Sequence, residues 1–297
     1  PNDGRLAFTP DDSGIYFSAN RSEDYELSPF DSDIYRVDIQ SADVTAVTDM
    51  AGPEESPMLS PDGKYLAFKQ INDNKKAYQF SDIVVLNLES GKLSRLTGSL
   101  DRSVQQVEWA DNSKSLYFSY LDHGETRLAS VSLKGDVSRF DATTGGQSLG
   151  RPYTSGEFAV SANGELAFTQ DDPLKPADLA LLKKKKITPL TNLNDDALGH
   201  LKLAQVEALP VKSSADGRDI DAWIALPPGF DATKSYPLIL EIHGGPHAAY
   251  GPHFSMEIQL MAAQGYVVVW SNPRGSSSYG AEFGNLHSGG HTLRTYV

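Results

Sequence analysis

Apolar and polar positions alternate in short bursts along the first two-thirds of the chain, and the bursts repeat. Thr9-Pro10-Asp11-Asp12-Ser13-Gly14-Ile15-Tyr16-Phe17-Ser18 returns as Ser60-Pro61-Asp62-Gly63-Lys64-Tyr65-Leu66-Ala67-Phe68. It returns again, more loosely, as Ala110-Asp111-Asn112-Ser113-Lys114-Ser115-Leu116-Tyr117-Phe118 and as Ser161-Ala162-Asn163-Gly164-Glu165-Leu166-Ala167-Phe168. The anchoring phenylalanines 17, 68, 118 and 168 recur every 50 to 51 residues. Each copy predicts a tight turn and then a strand: proline presets φ, Asp or Asn caps its own turn, and glycine takes the left-handed site. Alternation of period two around the phenylalanine puts it on one face of that strand. A further strand is predicted at 32–37, 81–86, 126–131 and 177–182. A last strand ends in Val47-Thr48-Asp49, Leu96-Thr97-Gly98 and Leu190-Thr191-Asn192. About four strands per unit at a period near 50 is the pattern of a β-propeller blade. A β-sandwich would show turn signals every ~8–12 residues without this long register.

From residue 195 the pattern changes. Two short apolar runs, 206–211 and 220–226, flank a polar segment ending in Asp216-Gly217, which predicts a hairpin. A continuous apolar run at 237–242 leads into His243-Gly244-Gly245-Pro246. Phe254, Ile258 and Met261 then fall at helical spacing, with Leu260 and Ala263 widening the stripe and Gly265 at the C-cap position. A second apolar run, 266–270, ends in Asn272-Pro273-Arg274-Gly275-Ser276. Two continuous apolar runs separated by a helix predict parallel strands buried on both faces. Glycines at the carboxyl end of such a strand let backbone N–H groups face a crevice, where α/β folds place ligands.

Composition narrows the function. The chain has 297 residues and a formal charge of −13, a length that suggests two domains. The acidic balance argues against a nucleic-acid partner. No segment reaches the ~18 apolar residues of a membrane span. The chain opens on Pro1, with no initiator methionine and no signal-type segment, so its N-terminus is expected to lie upstream. The absence of cysteine excludes disulfides, thiolate nucleophiles and Cys-ligated zinc. It leaves a soluble protein of either cytoplasm or periplasm. Lys183 to Lys186 reads as a solvated hairpin tip, and Glu23, Asp24 and Glu26 as part of a solvated loop in the first blade.

The repeats, Tyr236-Pro237-Leu238, His243-Gly244-Gly245-Pro246, Gly265-Tyr266-Val267-Val268 and Pro273-Arg274-Gly275-Ser276 with Tyr279-Gly280 follow one another in order. In that order the chain resembles the prolyl oligopeptidase family of serine peptidases, in its acylaminoacyl-peptidase and bacterial dipeptidyl-aminopeptidase branch. The resemblance covers nearly the whole chain. It implies a β-propeller with four recognisable blades, part of a larger propeller, over residues 1–194. The N-terminal part of an α/β-hydrolase domain would follow over 195–297. It implies Ser–Asp–His hydrolysis of short peptides without cofactor or metal, with the propeller filtering substrates by size. In an α/β-hydrolase one oxyanion-hole amide comes from the loop after the third strand. Gly245 N–H is the candidate donor, and His243, Gly244, Pro246, Arg274 and Gly275 the surrounding active-site loops. A bare strand-to-helix turn is the structural alternative for Gly244 and Gly245.

The chain departs from the family in one respect. It contains no G-x-S-x-G, the elbow that carries the nucleophile. The serine, aspartate and histidine of the triad are therefore expected beyond Val297. Ser276-Ser277-Ser278-Tyr279-Gly280 resembles an elbow, but serine holds its first position, so Ser278 is a poor nucleophile candidate. His243 and His247 are four apart, yet the intervening glycines and proline forbid a helical zinc pair. His287 and His291 follow no elbow serine, Glu282 is the one acid close by, and the tail 287–297 fits the family poorly. The expectation is a portion of a serine exopeptidase, inactive by itself. Two alternatives are a propeller-based binding module with a remnant hydrolase sheet and a carboxylesterase of the same fold. A sheet without its later strands leaves an apolar edge, so the isolated chain is expected to associate. Substrate specificity and oligomeric state are left open by the sequence.

Overall fold

The computed structural model describes residues 5–23, 25–71, 76–245 and 247–287. Asp24, Pro246, His291 and the rest of the tail after His287 lie outside the described residues.

Four four-stranded antiparallel sheets follow one another, each with strands adjacent in sequence adjacent in space. The first holds β1 (Ala7–Phe8), β2 (Gly14–Ala19), β3 (Asp33–Asp38) and β4 (Val44–Ala46). The second holds β5 (Glu54–Leu59), β6 (Tyr65–Ile71), β7 (Ser81–Asn87) and β8 (Leu93–Arg95). The third holds β9 (Val104–Trp109), β10 (Ser115–Asp122), β11 (Glu125–Ser132) and β12 (Val137–Thr144). The fourth holds β13 (Phe158–Val160), β14 (Leu166–Asp172), β15 (Lys175–Lys183) and β16 (Lys186–Pro189).

The repeated turn has one physical basis in all four copies. Its left-handed position is filled by Asp12, Gly63, Ser113 and Gly164, with φ of +56°, +70°, +58° and +74°. Glycine is therefore not required there. The Asx side chain of the turn compensates: Asp11 accepts from Ser13 N, Asp62 from Lys64 N, and Asn112 from Lys114 N. The predicted phenylalanines all fall on the second strand of their sheets. Phe68, Phe118 and Phe168 are fully buried. Phe17 is only half-buried: it shares its strand face with Tyr35, and the opposite face carries Tyr16 into a core with Ile34, Leu66, Phe68, Val84 and Leu86.

The threonine after the fourth strand also has a recurring role. Thr48, Thr97 and Thr191 accept from Ile34 N, Ile83 N and Leu179 N, at 3.0, 2.9 and 2.8 Å. The hydroxyls of Thr97 and Thr191 in turn donate to Asp82 and Asp178 on the third strand. Those carboxylates are held by Arg95 and Lys175, each at 2.7 Å. In the first sheet the acceptor is instead Glu54, which is completely buried and also receives Met50 N. In the third sheet Arg127 holds the aspartate's position and pairs with Asp122 and Glu125, while the hydroxyl of the preceding Thr126 has no partner among the described residues.

The polar run 183–186 is a hairpin tip, turning on Lys184 and Lys185, both left-handed at φ +48° and +66°.

After α1 (Asp195–Leu198) the chain builds a mixed sheet. Its strands are β17 (Gln205–Ala208), β20 (Ala222–Leu226), β22 (Val267–Ser271) and β21 (Leu238–Glu241), in that spatial order. Between β17 and β20 the predicted hairpin is bent, and its tip forms a separate ribbon of β18 (Val211–Lys212) and β19 (Asp219–Ile220). β21 and β22 run parallel, as their apolar runs predict, while β20 and β17 are antiparallel to their neighbours. Helix α2 (Met256–Ala263) joins the parallel pair and packs on one face. Ile258, Ala262, Val268, Trp270, Trp223 and Tyr250 form the core there.

Two sequence expectations are corrected. The run 237–242 is not buried on both faces: Leu238, Leu240 and Ile242 are 65%, 58% and 53% exposed. α2 covers only the Ile239 face, and no element covers the other among the described residues. On α2 itself, Leu260 and Ala263 face solvent, and the buried stripe runs through Ile258, Gln259 and Ala262. Gly265 caps the helix as expected, at φ +90°, its N–H donating to Ala262 O. A short α3 (Gly280–Gly284) and a 3₁₀ turn end the described chain. No helix of the described residues is long and apolar enough to cross a membrane.

Contacts divide the chain into two compact units. One comprises residues 1–118, 129–139 and 160–164, the other 119–128, 140–159 and 165–297. The candidate site lies wholly within the second.

Candidate functional site

The carboxyl ends of β21 and β22 point the same way, because the strands are parallel. The loops that leave them, 242–250 and 272–279, are therefore neighbours. They are zipped together by side chains and backbone. His243 Nε2 lies 3.1 Å from Ser276 Oγ, His247 Nδ1 donates to Gly275 O at 3.2 Å, and Ser277 N donates to Ala248 O at 3.0 Å.

Within the first loop the imidazole of His243 is buried and meets the ring of Tyr250 edge-on at 5.1 Å. Burial pushes the His243 imidazole below the ordinary histidine range, against the bond to Gly244 O. Gly244 and Gly245 are exposed. Gly245 adopts φ +139°, and a Cβ there would sit 2.7 Å from His247 N and 3.2 Å from Ala248 N. Only glycine fits. Its own N–H donates to no acceptor among the described residues. Gly244, by contrast, has nothing within 4 Å of a virtual Cβ. Chemically, this is a strand end that presents a free amide from a backbone shape closed to side chains.

The second loop carries Arg274 and Gly275. Arg274 does not turn toward Gly245. Its guanidinium lies beside Asp216, Nε to Oδ2 at 3.3 Å, and Arg218 holds the same carboxylate at 2.7 Å. Burial raises the Asp216 pKa, but bonds from Ser213 and Arg218 outweigh it and hold the carboxyl below its usual range. Gly275 is buried and anchors the loop through Phe283 O and His247.

Neither Ser276 nor Ser278 is placed as a nucleophile with its base. Ser276 donates to Pro273 O at 2.7 Å and is buried, so its proton is committed to a carbonyl. Ser278 is buried at φ +84°, and its Oγ accepts Gly124 N at 2.9 Å while its carbonyl accepts His123 N. It clamps the β10–β11 turn. His287 lies in the terminal 3₁₀ turn. His243 and His247 hold different partners, and no group of three or more metal-binding side chains exists among the described residues.

The sequence missed the residues that hold these loops. Asn272 is fully buried; its Oδ1 accepts Tyr250 N at 2.8 Å, and its two amide hydrogens go to Tyr250 O and Tyr279 OH, both at 2.7 Å. Tyr250 donates its hydroxyl to Glu241 at 2.9 Å, and Glu241 is paired with Arg151 at 3.3 Å. Burial and the Glu241 bond push the Tyr250 phenol upward, so it stays protonated. A polar side chain directly after a buried run signals Asn272, since buried amides must be satisfied. Nothing local points to Arg151, which lies ninety residues from Glu241 in the chain.

The chain is similar to several known peptidases. The model of the prolyl oligopeptidase family matches residues 252–294. Dipeptidyl-peptidase 5 of Porphyromonas gingivalis is 29% identical over 98% of the chain, which spans 43% of that protein's length. A Bacillus subtilis protein named as the peptidase YuxL is 30% identical over 99% of the chain, which spans 46% of its length. The chain thus spans less than half the length of these curated relatives. Among solved structures, Porphyromonas gingivalis dipeptidyl peptidase 4 shares the fold with a TM-score of 0.67 at 18% identity, covering 94% of this chain and 39% of its own. Pyrococcus horikoshii acylaminoacyl peptidase does so with 0.55 at 17%, covering 95% and 59%. The chain is thus similar in sequence to peptidases over nearly its whole length, and its residues 252–294 match the prolyl oligopeptidase family.

Proposed function

We propose that the chain is a portion of a serine exopeptidase that cleaves short peptides, dipeptidyl-peptidase-like, through an acyl-enzyme. In this reading residues 1–194 are blades of a larger propeller and 195–297 the first part of an α/β-hydrolase domain. The observation that carries it is Gly245: an exposed residue whose amide has no acceptor among the described residues, at the carboxyl end of a parallel strand, in a conformation that only glycine allows. Such an amide suits a developing oxyanion, whose charge the ground-state carbonyl lacks. His243 and Gly244 shape the loop, Gly275 braces it through His247, and Arg274 ties the second loop to Asp216. Nucleophile, acid and base are contributed by sequence other than these 297 residues, which contain no G-x-S-x-G.

A fluorophosphonate probe tests this directly. The complete protein should be labelled at a serine outside these 297 residues and should turn over a dipeptidyl chromogenic substrate. The 297-residue chain should remain unlabelled. Labelling of Ser276 or Ser278, or a complete protein that is neither labelled nor active, would overturn the proposal.

A further inference from the structure

We infer that Asn272 is a positioning residue for the Gly245 amide, acting through Tyr250. The inference rests on the reading of Gly245 as an oxyanion donor. Gly245 cannot be held by its own side chain, and it donates no hydrogen bond among the described residues. Its orientation is set by what holds its loop: the contacts of His243, His247 and Ala248 with the second loop, and the holds at its two ends. The upstream end is strand β21. The downstream end is Tyr250, and there the hold is complete. Asn272 grips Tyr250 N–H and C=O with one side-chain amide, as a neighbouring strand would. The two partners are 22 residues apart, and both are fully buried.

The grip itself is fixed from outside the loop. Asn272 N donates to Asp221 O at 2.9 Å, tying it to the start of β20. The second amide hydrogen is taken by Tyr279 OH. The acceptor bond from Tyr250 N and the donor bond to Tyr250 O together give the amide one orientation, so the distance from the end of β22 to Tyr250 is defined. An aspartate is nearly isosteric but has no hydrogen to offer. It would face Tyr250 O with a carboxylate oxygen and repel it, releasing the downstream end of the loop. Binding contacts elsewhere would stay in place. The signature is therefore a loss confined to the transition state, where the oxyanion exists.

In the complete enzyme, Asn272→Asp should lower kcat for a dipeptidyl 4-nitroanilide by about tenfold or more while KM stays within about twofold. Tyr279→Phe removes one acceptor but leaves the grip on Tyr250, and should keep kcat within about twofold of the parent. In the 297-residue chain, Asn272→Asp should quicken amide hydrogen exchange across residues 243–250 and leave β5–β8 unchanged. Asn272→Ala, which introduces no charge, replaces the aspartate variant if that variant does not fold. An unchanged kcat, a rise in KM alone, an equal loss in Tyr279→Phe, or unchanged exchange at 243–250 would each overturn the inference. A complete protein without peptidase activity would remove the oxyanion reading instead, and the exchange measurement would then decide whether Asn272 holds the loop.

Discussion

At the scale of single residues, two positions are governed by what their neighbours cannot supply. Glu54 is buried with Thr48 and Met50 N as partners and no cation paired with it among the described residues, whereas the equivalent bonds in the second and fourth sheets are neutralised by Arg95 and Lys175. Burial, with Asp33 nearby, raises its pKa from 4.5 to about 7. The folded chain therefore keeps a proton that the unfolded chain has already lost. This group's contribution is fully present below pH ~4.5, declines as pH rises to ~7, and stays lost above, a change of up to about 3 kcal/mol. Glu54→Gln should raise Tm at pH 8 and leave it nearly unchanged at pH 4.5, so the two melting curves against pH should diverge between those values. Gly245 is the second position. Gly245→Ala brings a Cβ against His247 N and forces a strained φ, so in the complete enzyme kcat should fall about 10²–10³-fold, the scale of one lost oxyanion donor. Sequence pointed to Gly245 because a glycine after an apolar run is a local signal. It gave no sign of Glu54, which is enclosed by β3 and by the segment after β4.

At the scale of elements, local chemistry was legible and coverage was not. All four turn copies were found because Asx and the left-handed residue are adjacent, with proline before them in the first two. The strands that follow them were found by alternation. The burial of 237–242 was misjudged because an apolar run specifies a strand but not how many of its faces are covered; that depends on distant chain. Helix α2 shows the same limit. Its start is fixed by Ser255, whose hydroxyl accepts Ile258 N at 3.2 Å and donates to Gly150 O at 2.6 Å. That second bond, across 105 residues, rotates the helix so that Gln259 goes in and Leu260 goes out. Gln259 is tolerated because its amide serves Ala204 N, Ala204 O and Pro173 O. Ser255→Ala removes both bonds and should destabilise the chain by about 1–2 kcal/mol, measurable as a lower urea midpoint at constant m.

At the scale of the whole molecule, the exposed face of β21 dominates behaviour in solution. Leu238, Leu240 and Ile242 form an apolar row on a strand whose outer edge pairs with nothing among the described residues. Such an edge is a template for another chain. The isolated chain should self-associate with rising concentration in sedimentation velocity despite its charge of −13, and Leu240→Lys should shift the distribution toward monomer. The repeats set a different expectation for where the chain opens first. The hairpin between β15 and β16 turns on two lysines in left-handed conformation, a shape usually given to Asn-Gly. Each costs roughly 1–3 kcal/mol over a relaxed backbone, and opening the tip releases that strain. A trypsin digest of the native protein should therefore make its earliest cuts after Lys184 and Lys185, giving a nicked chain whose two pieces stay together until denatured.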